Sequence, residues 1–290
     1  MDITTFLISV YCLIDDCLGD RRLRARGPQP SLSDAEVLTI EIVGEFLGID
    51  TDSGLYRHFR RHYSDWFPDL MRIHRTTFLR QAANLWLVKR ELWIAFSEQI
   101  PQDRLLTVID SFPVPVCRFA RAPRCQAFKG IAAFGHDEVA RQTYYGFRAH
   151  IRLTWPGVIT DVRLTPADVH DTVAAEILLS NCMGWALADR NYWKPLLTET
   201  LKKQGLFLLA PYKSAKREPF RFPIQLTHKR YRIETVIGQL VERFHAKKVW
   251  ARDAWHLTSR WMRKLLSHTI AVLFCVQAGL PPLRLAELII

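Results

Sequence analysis

The sequence feature that most constrains this chain is a short apolar run that ends on a carboxylate, Leu105-Leu106-Thr107-Val108-Ile109-Asp110-Ser111. A run of this length with β-branched members is typical of a buried strand. Because nearly every position is apolar, both faces are expected to be covered, as in the central strands of α/β sheets. Asp110 is then expected at the carboxyl end of a central strand, where open α/β sheets bind their ligands. The simpler alternative is that Asp110 only begins the Ser111-Phe112-Pro113 turn.

The rest of this region has the pattern of a mixed sheet with helices. Residues 146–154 and 158–164 flank a Trp155-Pro156-Gly157 turn, which predicts a hairpin. Helices are predicted over 167–179, 195–204, 229–248 and 259–277, with strands over 184–189 and 206–211. Residues 117–143 are predicted to be a long irregular excursion. This order of elements is that of an RNase H-like domain, an α/β mixed sheet flanked by helices.

Residues 1–98 are predicted to form a small all-helical domain. Ser33 and Glu36 form a capping-box pattern at the start of one helix, and a long helix over 76–99 stops before Pro101. Short helices with arginines on one face are compatible with helix-turn-helix DNA binding. We therefore predict a DNA-end-binding domain over 1–98 and a catalytic domain over 99–290. Ordinary helical packing with extended arginine side chains is the alternative.

Charge indicates a polyanionic partner. The net charge is +11, and residues 202–264 alone contain 16 Lys and Arg against 4 Asp and Glu. Such a local excess favours a surface that contacts nucleic-acid phosphates, although a solvated basic face would also account for it. The six cysteines lack metal-site or disulfide spacing, and no apolar run approaches the ~20 residues of a membrane span. These features predict a cytoplasmic protein.

Three acidic residues are expected to converge. Asp110 and Asp189 each end a predicted parallel strand, and neighbouring strand ends lie ~5 Å apart. Glu234 flanks the apolar stripe of the helix over 229–248. Oxygen ligands of this kind suit Mg²⁺, and two such ions can activate a nucleophile and stabilise a leaving oxygen. Asp171 and Glu242 are competing ligands, and a helical pair with Arg230 is the simpler explanation of Glu234.

Four short motifs in order resemble the DDE transposases of bacterial insertion sequences. They are Val108-Ile109-Asp110-Ser111, Thr165-Pro166-Ala167-Asp168-Val169-His170-Asp171, Leu187-Ala188-Asp189-Arg190-Asn191-Tyr192 and Arg230-Tyr231-Arg232-Ile233-Glu234. The resemblance covers about residues 100–275. It implies that Asp110, Asp189 and Glu234 are catalytic and hold two Mg²⁺ ions, for which Mn²⁺ can substitute. The chain departs from many such proteins at Thr227, Val241 and Asn191.

The resemblance also implies DNA partners. An arginine four residues before the Glu, here Arg230, resembles one that contacts DNA phosphate. Arg232, Lys213, Lys247 and Lys248 are further candidates for phosphate contacts. The expected activity is Mg²⁺-dependent cleavage at the element ends and strand transfer into target DNA, by a homodimer that holds two ends. The alternatives are a structure-selective nuclease or resolvase, and a catalytically inactive DNA-binding protein.

Overall fold

A computed structural model describes residues 1–21, 23, 27–211 and 224–289. The chain divides into two compact units. A helical unit contains residues 1–99, 240–246 and 250–290, and a sheet unit contains residues 100–239 and 247–249. Residues 240–246 and 250–290, which the sequence assigned to the catalytic domain, belong to the helical unit.

In the helical unit the helices are α1 (Ile3–Leu18), α2 (Asp34–Phe46), α3 (Asp52–His62), α4 (Arg75–Asn84), α5 (Trp86–Gln99) and α10 (Ala254–Gln277). The capping box is confirmed: Ser33 Oγ accepts from the amide of Glu36, whose carboxylate accepts from the amide of Ser33. The single helix predicted over 76–99 is interrupted at Leu85, where ψ is 11°. The unit therefore begins with short helices, as predicted.

The long helix α10 is the centre of this unit. It packs against α5, α2 and α4, and nearly all of its residues from Leu257 to Cys275 are buried. Three of the buried residues are basic: Arg260, Arg263 and Lys264. Part of the basic segment predicted to face phosphates is therefore inside the protein. The prediction was wrong for these three residues, because their acidic partners lie about 200 positions earlier in the chain.

Those partners form a buried ionic cluster. Arg263 contacts Glu45 (2.6 Å), Asp52 (2.7 Å) and Glu41 (3.3 Å). Lys264 contacts Glu45 at 3.0 Å, and Arg260 contacts Asp52 at 3.0 Å. Lys89 of α5 adds a 2.6 Å contact to Glu41. Buried charges persist only when they are paired and hydrogen-bonded, so this cluster fixes how α2, α3, α5 and α10 meet.

The sheet unit contains six strands, β1 (Asp103–Arg118), β2 (Ala133–Asp137), β3 (Gln142–Trp155), β4 (Val158–Pro166), β5 (Gly184–Leu187) and β6 (Leu206–Leu209). The order is β2-β3-β1-β5-β6, with β4 paired to β3. β1 is antiparallel to β3 and parallel to β5, and β5 is parallel to β6. The predicted mixed sheet and hairpin are confirmed. The predicted excursion over 117–143 is only partly irregular, because it contains β2.

The strand that carries Asp110 is longer than predicted. β1 pairs with β5 only from Leu106 to Val108, but it continues beside β3 as far as Arg118. Asp110 therefore does not end its strand, and the alternative of a turn over Ser111-Phe112-Pro113 is wrong as well. The alternation of buried Phe112 and Val114 with more exposed neighbours keeps this segment extended against the long β3. The strand that ends beside Asp110 is β5, the parallel neighbour of β1.

Helices α6 (Asp171–Leu178) and α7 (Pro195–Lys203) cover one face of the sheet. Their apolar residues Ala175, Leu197 and Leu201 pack with Ala186 and Leu208 of the strands. The helix predicted over 229–248 is instead α8 (Ile224–Arg230) and α9 (Arg232–Gly238), followed by a π-helical turn, Gln239–Arg243. The break falls at Tyr231, whose ψ of −13° departs from the helical value of about −42°.

Within the described ranges, no helix combines the length and hydrophobicity that a membrane span requires.

Candidate active site

Asp110 lies in the middle of β1, immediately beyond the last pair with β5, Val108 with Leu187. Its Oδ1 accepts a 2.7 Å hydrogen bond from the backbone amide of Ser111. Burial, with smaller contributions from the negative charges of Asp189 and Asp171, raises the pKa of Asp110 from 3.8 to about 7. A carboxyl group in this position is therefore only partly ionised at neutral pH in the absence of a cation.

Asp189 follows β5 and caps the short 3-10 helix Arg190–Tyr192. Its Oδ1 accepts from the amide of Asn191 at 2.9 Å. Burial raises the pKa of Asp189, and Asp171 adds to this effect, while Arg230 opposes it. Arg230 also lowers the pKa of Asp110. The two predicted aspartates thus share one electrostatic environment, with one arginine acting on both.

Glu234 lies in the first turn of α9, the helix that packs against β1. Its side chain is 53% exposed, and its Oε1 lies 3.5 Å from Arg230. This is the helical i, i+4 pair that the sequence offered as the simpler explanation. In the part of the chain that the structure describes, no group of three or more His, Cys, Asp or Glu side chains is placed to hold a metal ion. The structure therefore brings Asp110 and Asp189 together but leaves Glu234 outside their immediate cluster.

Asp171 is the acidic residue that sequence reasoning ranked too low. It begins α6 and is 6% exposed. Ser111 Oγ donates to its Oδ1 at 2.8 Å, and Arg148 Nη1 contacts Oδ1 and Oδ2 at 3.2 and 3.1 Å. Asp171, at the start of α6, therefore links Ser111, the residue after Asp110, to Arg148 of β3. We call Asp171 and the side chains that contact it the Asp171 hub.

His150 completes this hub. It is fully buried, its Nδ1 lies 3.6 Å from Asp171 Oδ1, and its Nε2 lies 2.9 Å from Thr165 Oγ1. Burial lowers its pKa to about 4, so the ring is neutral at neutral pH. A signal was present in the sequence, because Arg148 and His150 are two apart in a predicted strand and therefore share a face. The register that sets His150 opposite Ser111 could not be read from it.

The predicted phosphate-binding residues have varied surroundings. Arg232 and Lys229 both lie over the ring of Trp155, at 5.1 and 5.2 Å from its centroid. Lys247 lies 3.7 Å from Asp137, and Lys248 is exposed. Lys213 lies outside the described residues.

The fold and the site define an α/β protein in which Asp110 of β1 and Asp189, just after the parallel neighbour β5, share one electrostatic environment with Arg230. Residues 102–250, just over half of the chain, match the family model described as a transposase DDE domain. The chain belongs to this family and is a DNA transposase by class. Such domains generally depend on divalent metal ions.

No curated protein sequence matches the chain. Among solved structures, the chain is similar to a piggyBac transposase seen in a synaptic complex with hairpin DNA. The identity is 10%, the match covers 98% of this chain and 76% of that one, and the TM-score is 0.49.

Proposed function

We propose that this protein is the transposase of an insertion sequence, and that it cuts DNA at the element ends and transfers the freed 3′ ends to target DNA. The observation that carries the proposal is the pair of Asp110 and Asp189, two partly buried carboxylates with raised pKa values beside Arg230. Family membership supports the same reaction class.

The two aspartates fit a hard divalent cation. Each raised pKa means that the ionised carboxylate is disfavoured in the protein alone, and a cation between the two would remove that penalty. Mg²⁺, or Mn²⁺ in its place, would supply charge neutralisation and an activated water for phosphodiester cleavage. We infer two ions, with Glu234 as the third carboxylate. Glu234 would have to exchange its contact with Arg230 for this role.

Arg230 has two tasks in this proposal. It keeps part of the carboxylate pair ionised, and its guanidinium can contact a DNA phosphate. Arg232, Lys247, Lys248 and Lys213 are proposed as further phosphate contacts. The Asp171 hub positions Asp110 through Ser111 and does not need to touch DNA.

The helices of residues 1–98 are proposed to bind the element ends. Holding two ends for coupled strand transfer would require at least two copies of the chain, so we infer a homodimer in the active complex.

The test is cleavage of a supercoiled plasmid carrying the element ends, with Mg²⁺ and across a range of pH. We expect Asp110→Asn, Asp189→Asn and Glu234→Gln each to abolish cleavage while duplex binding is retained. Asp168→Asn, an exposed carboxylate near α6, is the matched control and should cleave normally. At Mg²⁺ concentrations below saturation, wild-type cleavage should rise with pH through about 7, because Asp110 must lose its proton before the ion binds.

Three results would contradict parts of this proposal. Cleavage retained in one of the three variants would remove that residue from the metal set. Cleavage without joined products would favour the nuclease or resolvase alternative. Binding without cleavage in the wild-type protein would favour the inactive DNA-binding protein.

A further inference from the structure

A second basic surface lies at the far end of β1. Residues 111–136 contain four Lys and Arg, Arg118, Arg121, Arg124 and Lys129, and no Asp or Glu. All four side chains are exposed. We call residues 118–134 the basic arm; it comprises the end of β1, the 3-10 helix Phe119–Arg124, a connecting loop and the start of β2.

The basic arm is folded onto the sheet rather than loosely attached. The ring of Phe119 packs against Phe134 at 5.6 Å between centroids, and Phe134 packs against Tyr145 of β3 at 5.5 Å. Phe128 packs against Phe147 at 5.2 Å, and Tyr145 Oη donates to the carbonyl of Phe128 at 3.0 Å. The cations are therefore presented from a fixed platform, which lowers the entropy lost when a ligand is bound.

The positive charge of the arm is uncompensated. No ion pair connects Arg118, Arg121, Arg124 or Lys129 to any residue in the described ranges. The first acid after the arm along the chain, Asp137 at the end of β2, is 3.7 Å from Lys247. An exposed group of like charges without acidic partners destabilises the protein slightly and is favourable only beside an anionic ligand.

The distance between the carboxylate pair and the basic arm matches a short length of double-stranded DNA. Arg118 is eight residues beyond Asp110 on the same strand, which corresponds to ~26 Å at the usual rise of a β-strand. At ~3.4 Å for each base pair, this equals about 8 base pairs of duplex. A duplex cut at Asp110 and lying along β1 would therefore reach the arm with its backbone.

We propose that the basic arm binds the phosphate backbone of duplex DNA about 8 base pairs to one side of the scissile phosphate. This surface is separate from the phosphate contacts of Arg230 and its neighbours. The inference rests on the proposed function, because it assigns a place to the DNA on which the carboxylate pair acts.

The experiment compares two variants that lose the same charge. The first is R118Q/R121Q/R124Q in the arm. The control is R104Q/R163Q/K194Q, which neutralises three exposed cations elsewhere in the sheet unit. Binding to a random-sequence duplex of about 30 base pairs, long enough to span both sites, is measured by fluorescence anisotropy in EDTA over a range of salt.

For the arm variant we expect the slope of log K against log salt to fall by about 2.7, and the affinity at 0.1 M salt to fall more than about tenfold. The control should retain most of the wild-type slope. Lys129→Gln alone, which lies outside the 3-10 helix, should reduce the slope by about 0.9. Each variant should unfold at the same temperature as the wild type in a thermal melt. This control shows that the compared proteins are folded.

Equal slopes for the arm variant and the control would overturn the inference. So would a parallel titration in which the arm variant loses affinity for polyglutamate but not for DNA, since the arm would then bind an acidic polypeptide. Failure of the proposed function has a different signature, a wild-type protein that neither binds nor cleaves duplex DNA.

Discussion

Replacing Asp110 with asparagine should stabilise the metal-free protein at alkaline pH. A carboxyl pKa raised from 3.8 to about 7 means that the folded state holds a proton that the unfolded state has already released. Stability therefore falls as the pH rises from about 4 to about 7, and stays low above that. At about 1.4 kcal/mol for each pH unit the full penalty is about 4 kcal/mol.

Asparagine removes this penalty without removing the local structure. Its side-chain oxygen can still accept from the amide of Ser111, as Oδ1 of Asp110 does. Relaxation and water entry reduce the penalty, so we expect the variant to be about 2–4 kcal/mol more stable than the wild type at pH 8. At about pH 5 Asp110 is protonated in the folded protein, and much of the difference should disappear.

Urea unfolding in EDTA, followed by the fluorescence of the nine tryptophans, measures these free energies. Asp168→Asn is the control and should change the free energy of unfolding by less than about 0.5 kcal/mol at either pH. Added Mg²⁺ should then stabilise the wild type at pH 8 and have little effect on Asp110→Asn, because a ligand stabilises only the state that binds it. An Asp110→Asn variant no more stable than wild type at pH 8, or equally stabilised at both pH values, would refute the reasoning.

Two predictions concern the scaffold. Lys89→Met should lower the free energy of unfolding by about 3 kcal/mol, because the buried Glu41 loses its 2.6 Å contact to Lys89 and retains the longer one to Arg263; adding Glu41→Gln should restore much of that loss in urea titrations. Gly146→Ala should cost about 1–3 kcal/mol, because its Cβ would lie 2.4 Å from the backbone oxygen of Val114, whereas Gly238→Ala meets no atom within 4 Å and should be neutral or stabilising in the same assay. A Gly146→Ala protein as stable as the wild type would mean that β1 and β3 can separate at this point.

The sequence identified the acidic residues of the site but not the residues that each of them contacts. The apolar run before Asp110 and the short strand before Asp189 were recognisable because buried strands leave a local signature. The residues that these acids contact lie far from them in the sequence. Asp171 contacts Ser111 across 60 positions of sequence, through a register that only β1 and β3 together define. Glu234 was placed near the sheet by its helix, and its i, i+4 contact with Arg230 was also available from the sequence.

The basic residues show the same limit of prediction from the sequence. The excess of Lys and Arg over 202–264 was evident from the sequence, and it predicted a phosphate-contacting surface. The structure places Arg260, Arg263 and Lys264 inside the helical unit, paired with acids of α2 and α3. A net charge counts these residues as basic surface, although each is neutralised by a distant partner.

By itself, the sequence determined the β3–β4 hairpin, the capping of α2 and the strands that precede Asp110 and Asp189, because each depends on residues close together in the chain. Only the tertiary structure decided that α10 belongs with the N-terminal helices, that β1 runs on past Asp110, and that Asp171 is held by Ser111 and Arg148. These features depend on which distant segments meet, and burial sets the energy of a charge only once its neighbours are in place.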